Sequence, residues 1–284
     1  MKITIKKACS LFEGVKTFPS ELSNTTCKSW IQTGRIEVNG VCQRDMRFGL
    51  KPNDVISLHA KKTQLYPGVE ILYKDDDCIV VTKPSGLLAV DSLDPSEISL
   101  HAILKAYAKP DRVFPVQRLD EGTSGVMVYA LNHPFKEALK QQFEKHSIVR
   151  EYHAIVLGTL PQKKGRWKNF LKEDKQYFVH VVPANGDEAI TDYQIISEKN
   201  GLSFVNFKLH TGRKNQIRVQ AAHHGIPLLG DTKYGPENTP SHYRLCLHAH
   251  TLGFFHPYLK KQLSFNLKTP FSLESTHVHH EKTL

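Results

Sequence analysis

The sequence predicts a protein of the α+β class, in which a small N-terminal α/β module precedes a larger domain with a mixed, largely antiparallel sheet. A chain of 284 residues is long enough to bury two hydrophobic cores. A polar stretch broken by Pro67-Gly68 separates its two parts, and beyond it strand-like apolar runs alternate with polar turns and two helix-like segments. We therefore expect a module over residues 1–62, a domain over residues 69–272 and a disordered tail over residues 273–284, which lack apolar periodicity.

The N-terminal module shows the start and stop signals of one helix and two strands. Ser23 to Thr26 offer several side-chain caps for a helix that ends at Gly34. Residues 35–38 alternate as a strand, Asn39-Gly40 is a hairpin turn signal, and residues 54–58 form a closing strand.

Positive charge is concentrated in the same module. The chain carries a formal net charge of +10, and residues 1–62 contain eleven Lys or Arg against five Asp or Glu, a net charge of +6. Such a potential favours a polyanionic partner, either nucleic acid or an acidic membrane surface. No apolar run approaches the roughly 20 residues that a membrane span requires. The chain also starts without a signal peptide's apolar region, so we expect a cytoplasmic protein that does not contact membranes.

The cysteines and histidines do not form a recognisable metal or disulfide pattern. The five cysteines are scattered without a Cys-x-x-Cys pair, so we expect them to be reduced and buried; they are Cys9, Cys27, Cys42, Cys78 and Cys246. A metal site could be formed by His248, His250 and His256. However, no Cys or carboxylate at ligand spacing completes such a site. We expect neither a metal nor another cofactor.

The larger domain reads as a succession of strands and two helices. Its first two strands, residues 70–73 and 78–81, flank an acidic hairpin turn at residues 75–77 and lead into Lys83-Pro84-Ser85-Gly86. Helical spacing covers residues 97–108, where Ile98, Ile103 and Leu104 are apolar, and residues 133–146. Further strands are expected at residues 150–158, 177–182, 191–196 and 203–209.

One acid stands out by its surroundings. Asp120 lies between Arg118 and the tight turn Thr123-Ser124-Gly125, and the apolar run 126–130 that follows reads as a buried strand. Such an arrangement holds a carboxylate rigidly, although an acid in a turn is often only a turn former.

These motifs resemble those of the RluA family of RNA pseudouridine synthases. The family pattern His-Arg-Leu-Asp, followed two residues later by Thr-Ser-Gly, matches residues 118–125, with Gln117 in place of the His. Residues 211–218 match Thr-Gly-Arg-Thr-His-Gln-Ile-Arg, with Asn215 in place of its His. Tyr152 matches a strand tyrosine, and Leu247 begins a third matching stretch. Residues 1–62 are similar to the S-four-like RNA-binding module.

The resemblance implies a role for eight residues. Asp120 would be the catalytic carboxylate, Arg218 would keep it ionised, and Tyr152 would pack on the target base. Arg118 would fill the gap left by that base, and Leu247 would line its pocket. Substrate-binding residues are Arg118, Thr123, Arg213, Gln216 and Leu247.

The resulting hypothesis is an RNA pseudouridine synthase that acts as a monomer on large-subunit ribosomal RNA. Isomerising uridine needs neither a redox step nor a phosphate donor, which agrees with the lack of a nucleotide-binding loop. Transfer RNA is the alternative substrate. A catalytically idle RNA-binding or ribosome-assembly protein is the alternative class, and a metal hydrolase is disfavoured because ligands are missing.

Overall fold

The computed structural model describes most of the chain. The described residues are 2–18, 22–32, 35–43, 45–58, 64–92, 94, 97–108, 112–237 and 244–274. The chain divides into two compact units, Met1–Leu65 and Tyr66–Leu284. The expected end of the first helix at Gly34 and the expected tail beyond residue 274 lie outside the described residues.

The smaller unit has a short mixed architecture. Its elements are β1 (Lys2–Thr4), β2 (Cys9–Ser10), α1 (Leu11–Lys16), α2 (Asn24–Gln32), β3 (Ile36–Val38), β4 (Val41–Cys42), β5 (Gly49–Leu50) and β6 (Val55–Leu58). Four strands form a sheet in the order β1-β6-β3-β4, and β2 pairs with β5. The predicted helix is confirmed as α2, because the Thr26 backbone N–H donates to the Ser23 hydroxyl at 3.1 Å. The predicted hairpin is confirmed at Asn39 and Gly40, which both have positive φ.

A separate core supports this unit. Its buried side chains come from both helices and three strands, and they are Leu11, Val15, Cys27, Ile31, Ile36, Val38, Leu50 and Ile56, with Ile5 and Phe18. Helix α1 was not expected from the sequence, although Ser10 and Glu13 form a capping box at its start. Cys27, Cys78 and Cys246 are buried free thiols as expected, whereas Cys9 is half-buried and the Cys42 side chain lies outside the described part.

From residue 64 onward the chain is built on one large sheet. Its elements are β7 (Gln64–Tyr66), β8 (Val69–Lys74), β9 (Cys78–Lys83), α3 (Leu100–Tyr107), β10 (Phe114–Pro115), β11 (Ser124–Ala130), α4 (His133–Glu144), β12 (Val149–Leu157), β13 (Lys164–Glu173), β14 (Val179–Val182), β15 (Asp187–Lys199), β16 (Leu202–Leu209), α5 (Gln216–His223), β17 (Leu247–His256) and β18 (Lys261–Asn266). The strand order is β14-β13-β15-β16-β12-β17-β11-β9-β8-β7, with β10 on β11 and β18 on β17. Strands β11 and β17 pair in parallel, and the other described pairs are antiparallel. The predicted α+β class is thereby confirmed.

Several boundaries differ from the expectation for local reasons. Helix α3 begins at Leu100 rather than residue 97, because the Ser99 hydroxyl caps the Ala102 N–H at 2.9 Å. Ile98 therefore lies outside the helix and is 55% exposed. Strand β14 begins two residues late because Tyr177 adopts positive φ in the preceding turn. No helix in the described part of the chain is long and apolar enough to cross a membrane.

The buried side chain of Lys83, at the end of β9, links the loop that follows this strand to the turn that contains Glu121. Its side chain is 1% exposed, and its ammonium donates to the carbonyl oxygens of Pro84 at 3.1 Å, Leu87 at 2.5 Å and Glu121 at 2.9 Å. Burial lowers the pKa of Lys83 to about 7, against the attraction of nearby carboxylates. Ser85 adds a bond to the Gly122 carbonyl at 2.7 Å. The Lys-Pro-Ser-Gly stretch therefore holds the turn that contains Asp120.

We predict that Lys83→Met lowers the free energy of unfolding by about 2–4 kcal/mol, since the Pro84 and Leu87 carbonyls lose a buried donor. Urea denaturation of the purified protein measures this change. Lys140→Met, on the exposed side of α4, is the matched control and should change stability by less than about 0.5 kcal/mol. Equal effects of the two substitutions would contradict the prediction and show that the buried ammonium of Lys83 adds no net stability.

Candidate active site

The turn around Asp120 is positioned by the strand that follows it. The Thr123 N–H donates to the Asp120 carbonyl at 3.0 Å and closes the turn, and all seven residues of β11 are buried. Gly125 lies beside Ala249 of β17 with φ of 134°, and a β-carbon there would come within 2.3 Å of the Ala249 carbonyl oxygen. Glycine is thus required for β11 and β17 to pair in parallel. That pairing brings the turn beside Leu247, the first residue of β17.

Arg218 of α5 joins Asp120 to a second, buried carboxylate. Its Nη1 donates to Asp120 Oδ2 at 3.2 Å, while Nε and Nη2 donate to the two oxygens of Asp231 at 2.8 Å each. Burial alone would raise the pKa of Asp231, but the hydrogen bonds and charge of Arg218 hold it below its usual range. The same ion pair outweighs burial for Arg218 and raises its pKa. Arg218 therefore stays charged and fixed in place beside Asp120.

Asn215 is a second donor to Asp120 that sequence reasoning did not assign. It lies just before α5 in a left-handed conformation, with φ of 53°, which asparagine tolerates well. Its Nδ2 donates to Asp120 Oδ2 at 2.6 Å, and the Tyr234 hydroxyl donates to its Oδ1 at 3.1 Å. The second bond fixes which way the amide points. The one signal in the sequence was its place between Arg213 and Gln216, where it departs from the family pattern.

One cleft brings all eight predicted site residues together. They are Arg118, Asp120, Thr123, Tyr152, Arg213, Gln216, Arg218 and Leu247. Tyr152, on β12, is only 8% exposed, and Leu247 is buried, so these two side chains form the apolar floor. Burial raises the pKa of Tyr152, the charge of Arg150 opposes that rise, and the charge of Asp120 adds to it. Arg118 is exposed at the rim.

Gln216 and Thr123 differ in whether their side-chain polar atoms have hydrogen-bond partners among the described residues. The Gln216 amide oxygen accepts from the Thr211 hydroxyl at 2.8 Å and the Arg213 N–H at 3.0 Å. Its nitrogen donates to the Ile190 carbonyl at 3.1 Å and to a threonine hydroxyl at 2.9 Å. The side chain therefore has no spare hydrogen-bonding position. By contrast, the buried Thr123 hydroxyl has no partner within the described residues.

The histidines noted in the sequence do not share a site. His248 and His250 make separate hydrogen bonds. Among the described residues, ligand atoms of Asp75, Cys78 and His256 lie within 4.8 Å of one another, and His256 Nε2 is 3.0 Å from Asp75 Oδ2. This group lies at the ends of β9 and β17 that are remote from the cleft, so it is not part of the candidate site.

Comparison with known proteins gives a consistent family assignment. The profile of the family described as RNA pseudouridylate synthase matches residues 77–223. The chain is 30% identical over 284 residues to ribosomal large subunit pseudouridine synthase D of Vibrio cholerae, covering 92% of this chain and 87% of the relative. It is 36% identical over 211 residues to tRNA pseudouridine synthase C of Haemophilus ducreyi, covering 66% and 86%.

A solved structure supports the fold. Human RNA pseudouridylate synthase domain containing 1 superposes with a TM-score of 0.62 at 21% identity, over 72% of this chain and 84% of that protein. The resemblance of the larger domain's motifs to the RluA family is confirmed, while the similarity of residues 1–62 to an S-four-like module stays a prediction. The chain therefore belongs to the RNA pseudouridylate synthase family, and within it to the RluA family.

Proposed function

We propose that Asp120 is the catalytic carboxylate of this RNA pseudouridine synthase and that its substrate is a uridine of large-subunit ribosomal RNA. The observation that carries the proposal is the convergence of Arg218 and Asn215 on one oxygen of Asp120, inside a cleft with an aromatic floor. Two donors on one carboxylate oxygen orient the Asp120 side chain and prevent its rotation. A turn former on the surface has no need of either.

The two carboxylate oxygens of Asp120 differ in their hydrogen bonds. Both donors bind Oδ2, whereas Oδ1 has no hydrogen-bond partner among the described residues. We infer that Oδ1 acts on the sugar, either by attack or by removing a proton. Cleavage of the bond from the anomeric carbon to the base nitrogen builds positive charge on the sugar, which a carboxylate stabilises. The base then turns and rejoins through its carbon, so the reaction is an isomerisation that consumes no other reactant.

Other residues of the cleft would receive and hold the base. The Tyr152 ring packs on the extruded uracil, Leu247 lines the pocket, and Arg118 at the rim fills the space that the base leaves in the RNA. Arg213 and the unpartnered Thr123 hydroxyl would contact the nucleotide. Gln216 would act indirectly, since its amide already holds the Arg213 loop in place.

Ribosomal RNA is the preferred substrate class because of the Vibrio cholerae relative, whose similarity extends over 92% of this chain. The Haemophilus ducreyi relative makes transfer RNA the second candidate. Mapping pseudouridines in both RNAs from cells with and without the gene tests the choice. A site lost from large-subunit RNA is expected, whereas loss from transfer RNA alone would overturn it. A monomeric state and a cytoplasmic location remain predictions.

The basic N-terminal unit is proposed to hold RNA without taking part in the chemistry. Its own core and its net charge of +6 support this division. We predict that deleting residues 1–62 weakens RNA binding and flattens its salt dependence by about 0.9 in the log–log slope per lost duplex phosphate contact. Turnover of a short RNA in excess should persist. Titrations at several salt concentrations measure the slope, and an unchanged slope with abolished turnover would contradict the proposal.

A further inference from the structure

The turn between β13 and β14, residues 174–178, is a rigid hairpin tip. Asp174 Oδ1 accepts the backbone N–H groups of Gln176 and Phe178 at 2.9 Å each, and Asp174 Oδ2 lies 2.7 Å from His180 Nε2. Tyr177 has φ of 63°, a left-handed conformation that residues other than glycine rarely adopt. The surrounding bonds hold the chain in this strained form.

Two aromatic rings at this tip are exposed to solvent, the Tyr177 ring more than that of Phe178, which also packs against Tyr234. Tyr177 is 72% exposed and Phe178 is 40% exposed. Each ring has a lysine beside it, since Lys214 Nζ lies 5.2 Å from the centre of the Tyr177 ring and Lys233 Nζ lies 4.5 Å from that of Phe178. Packing within the protein therefore does not explain why an aromatic ring stands at position 177, since most of the Tyr177 ring is exposed to solvent.

The hairpin tip is linked to the candidate active site by short contacts. Lys233 Nζ donates to the Tyr177 carbonyl at 2.9 Å, and the neighbouring Tyr234 hydroxyl accepts the Val179 N–H at 3.1 Å while it donates to Asn215. Asn215 in turn donates to Asp120. Hydrogen bonds through Tyr234 and Asn215 therefore connect the start of β14, next to the hairpin tip, to Asp120.

Positive charge gathers at the same place. Lys214 pairs with Glu173, so its charge is partly balanced. Burial, followed by the charges of Lys214 and Arg218, lowers the pKa of Lys233. Neighbouring cations beside exposed aromatic rings favour the binding of a nucleotide. Its phosphate reduces the repulsion between the cations, and its base stacks on a ring.

We propose that Tyr177 and Phe178, with Lys214 and Lys233, form a stacking platform for an unpaired nucleotide next to the target uridine. The inference rests on the proposed function and adds a property of the substrate, namely that the RNA is single-stranded around the target. A base within a duplex hides its faces, whereas a base in a loop or bulge presents one to the ring.

Binding of fluorescein-labelled oligouridylate about twelve nucleotides long tests this platform, with a fully paired RNA of the same length for comparison. Tyr177→Ala should weaken oligouridylate binding roughly 5- to 150-fold, the equivalent of the 1–3 kcal/mol that one stacked base contributes. Tyr177→Phe keeps the ring and should bind like the unmodified protein, and duplex binding should not change. Tyr258→Ala is the matched control, because Tyr258 is also an exposed tyrosine in a turn but follows the end of β17 remote from Leu247.

The same titration is repeated with proteins that carry Asp120→Asn. It separates this inference from the catalytic one, because the ratio of the affinities with and without Tyr177→Ala does not depend on turnover. A loss below fivefold for Tyr177→Ala, or an equal loss on single-stranded and duplex RNA, would overturn the platform. Either result leaves the assignment of Asp120 intact. An active Asp120→Asn variant would overturn that assignment without altering the ratio.

Discussion

Asp120→Asn is expected to reduce pseudouridine formation by roughly 10²–10⁴-fold or more, because an amide cannot supply the negative charge or the basic oxygen that the sugar requires. The substitution keeps the size of the side chain and leaves an oxygen for the bonds from Arg218 and Asn215. The cleft should therefore keep its shape and RNA should still bind. Tritium release from uridine-labelled RNA measures activity, and anisotropy measures binding.

Glu121→Gln is the matched control for this experiment, since Glu121 is the next residue in the same turn and its side chain is exposed. It should retain activity close to that of the unmodified enzyme. Activity of Asp120→Asn within tenfold of the unmodified enzyme would exclude Asp120 as the catalytic carboxylate and return the turn to a structural role.

Arg218→Met is expected to lower the free energy of unfolding by about 3–5 kcal/mol and to abolish activity as well, because it leaves a buried carboxylate without its counter-charge. The Asp231 side chain is fully buried, and two of its hydrogen bonds come from Arg218. Chemical denaturation measures the loss of stability, and tritium release measures the loss of activity.

The double variant Arg218→Met with Asp231→Asn separates the two effects. The neutral amide oxygen still accepts the Lys233 and Tyr234 N–H groups, so most of the lost stability should return. Activity should not return, since Asp120 still lacks its cation. Recovery of activity together with stability would show that Arg218 supports the fold and has no effect on Asp120.

The local elements that sequence reasoning identified are those whose signals are short-range. The cap at Ser23, the Asn39-Gly40 turn and the apolar run of β11 each act through neighbours in the chain. Helix α5 was missed because its stabilising contacts are long-range. Helix α5 carries buried Gln216 and Gln220, whose amides bond to distant strands, so polar residues stand where an apolar stripe was expected.

The sequence by itself predicted the α+β class from its strand and helix patterns, and the resemblance of its motifs to a known family implied the acid in the signature turn and the residues of the cleft. It did not reveal the donor role of Asn215, the buried Asp231 beneath Arg218 or the anchoring of the turn by Lys83. Asp120 and Asn215 are 95 positions apart, and Lys83 and Glu121 are 38 apart. Such contacts exist only once β11 lies between β9 and β17, because sheet order brings together groups that no local pattern relates.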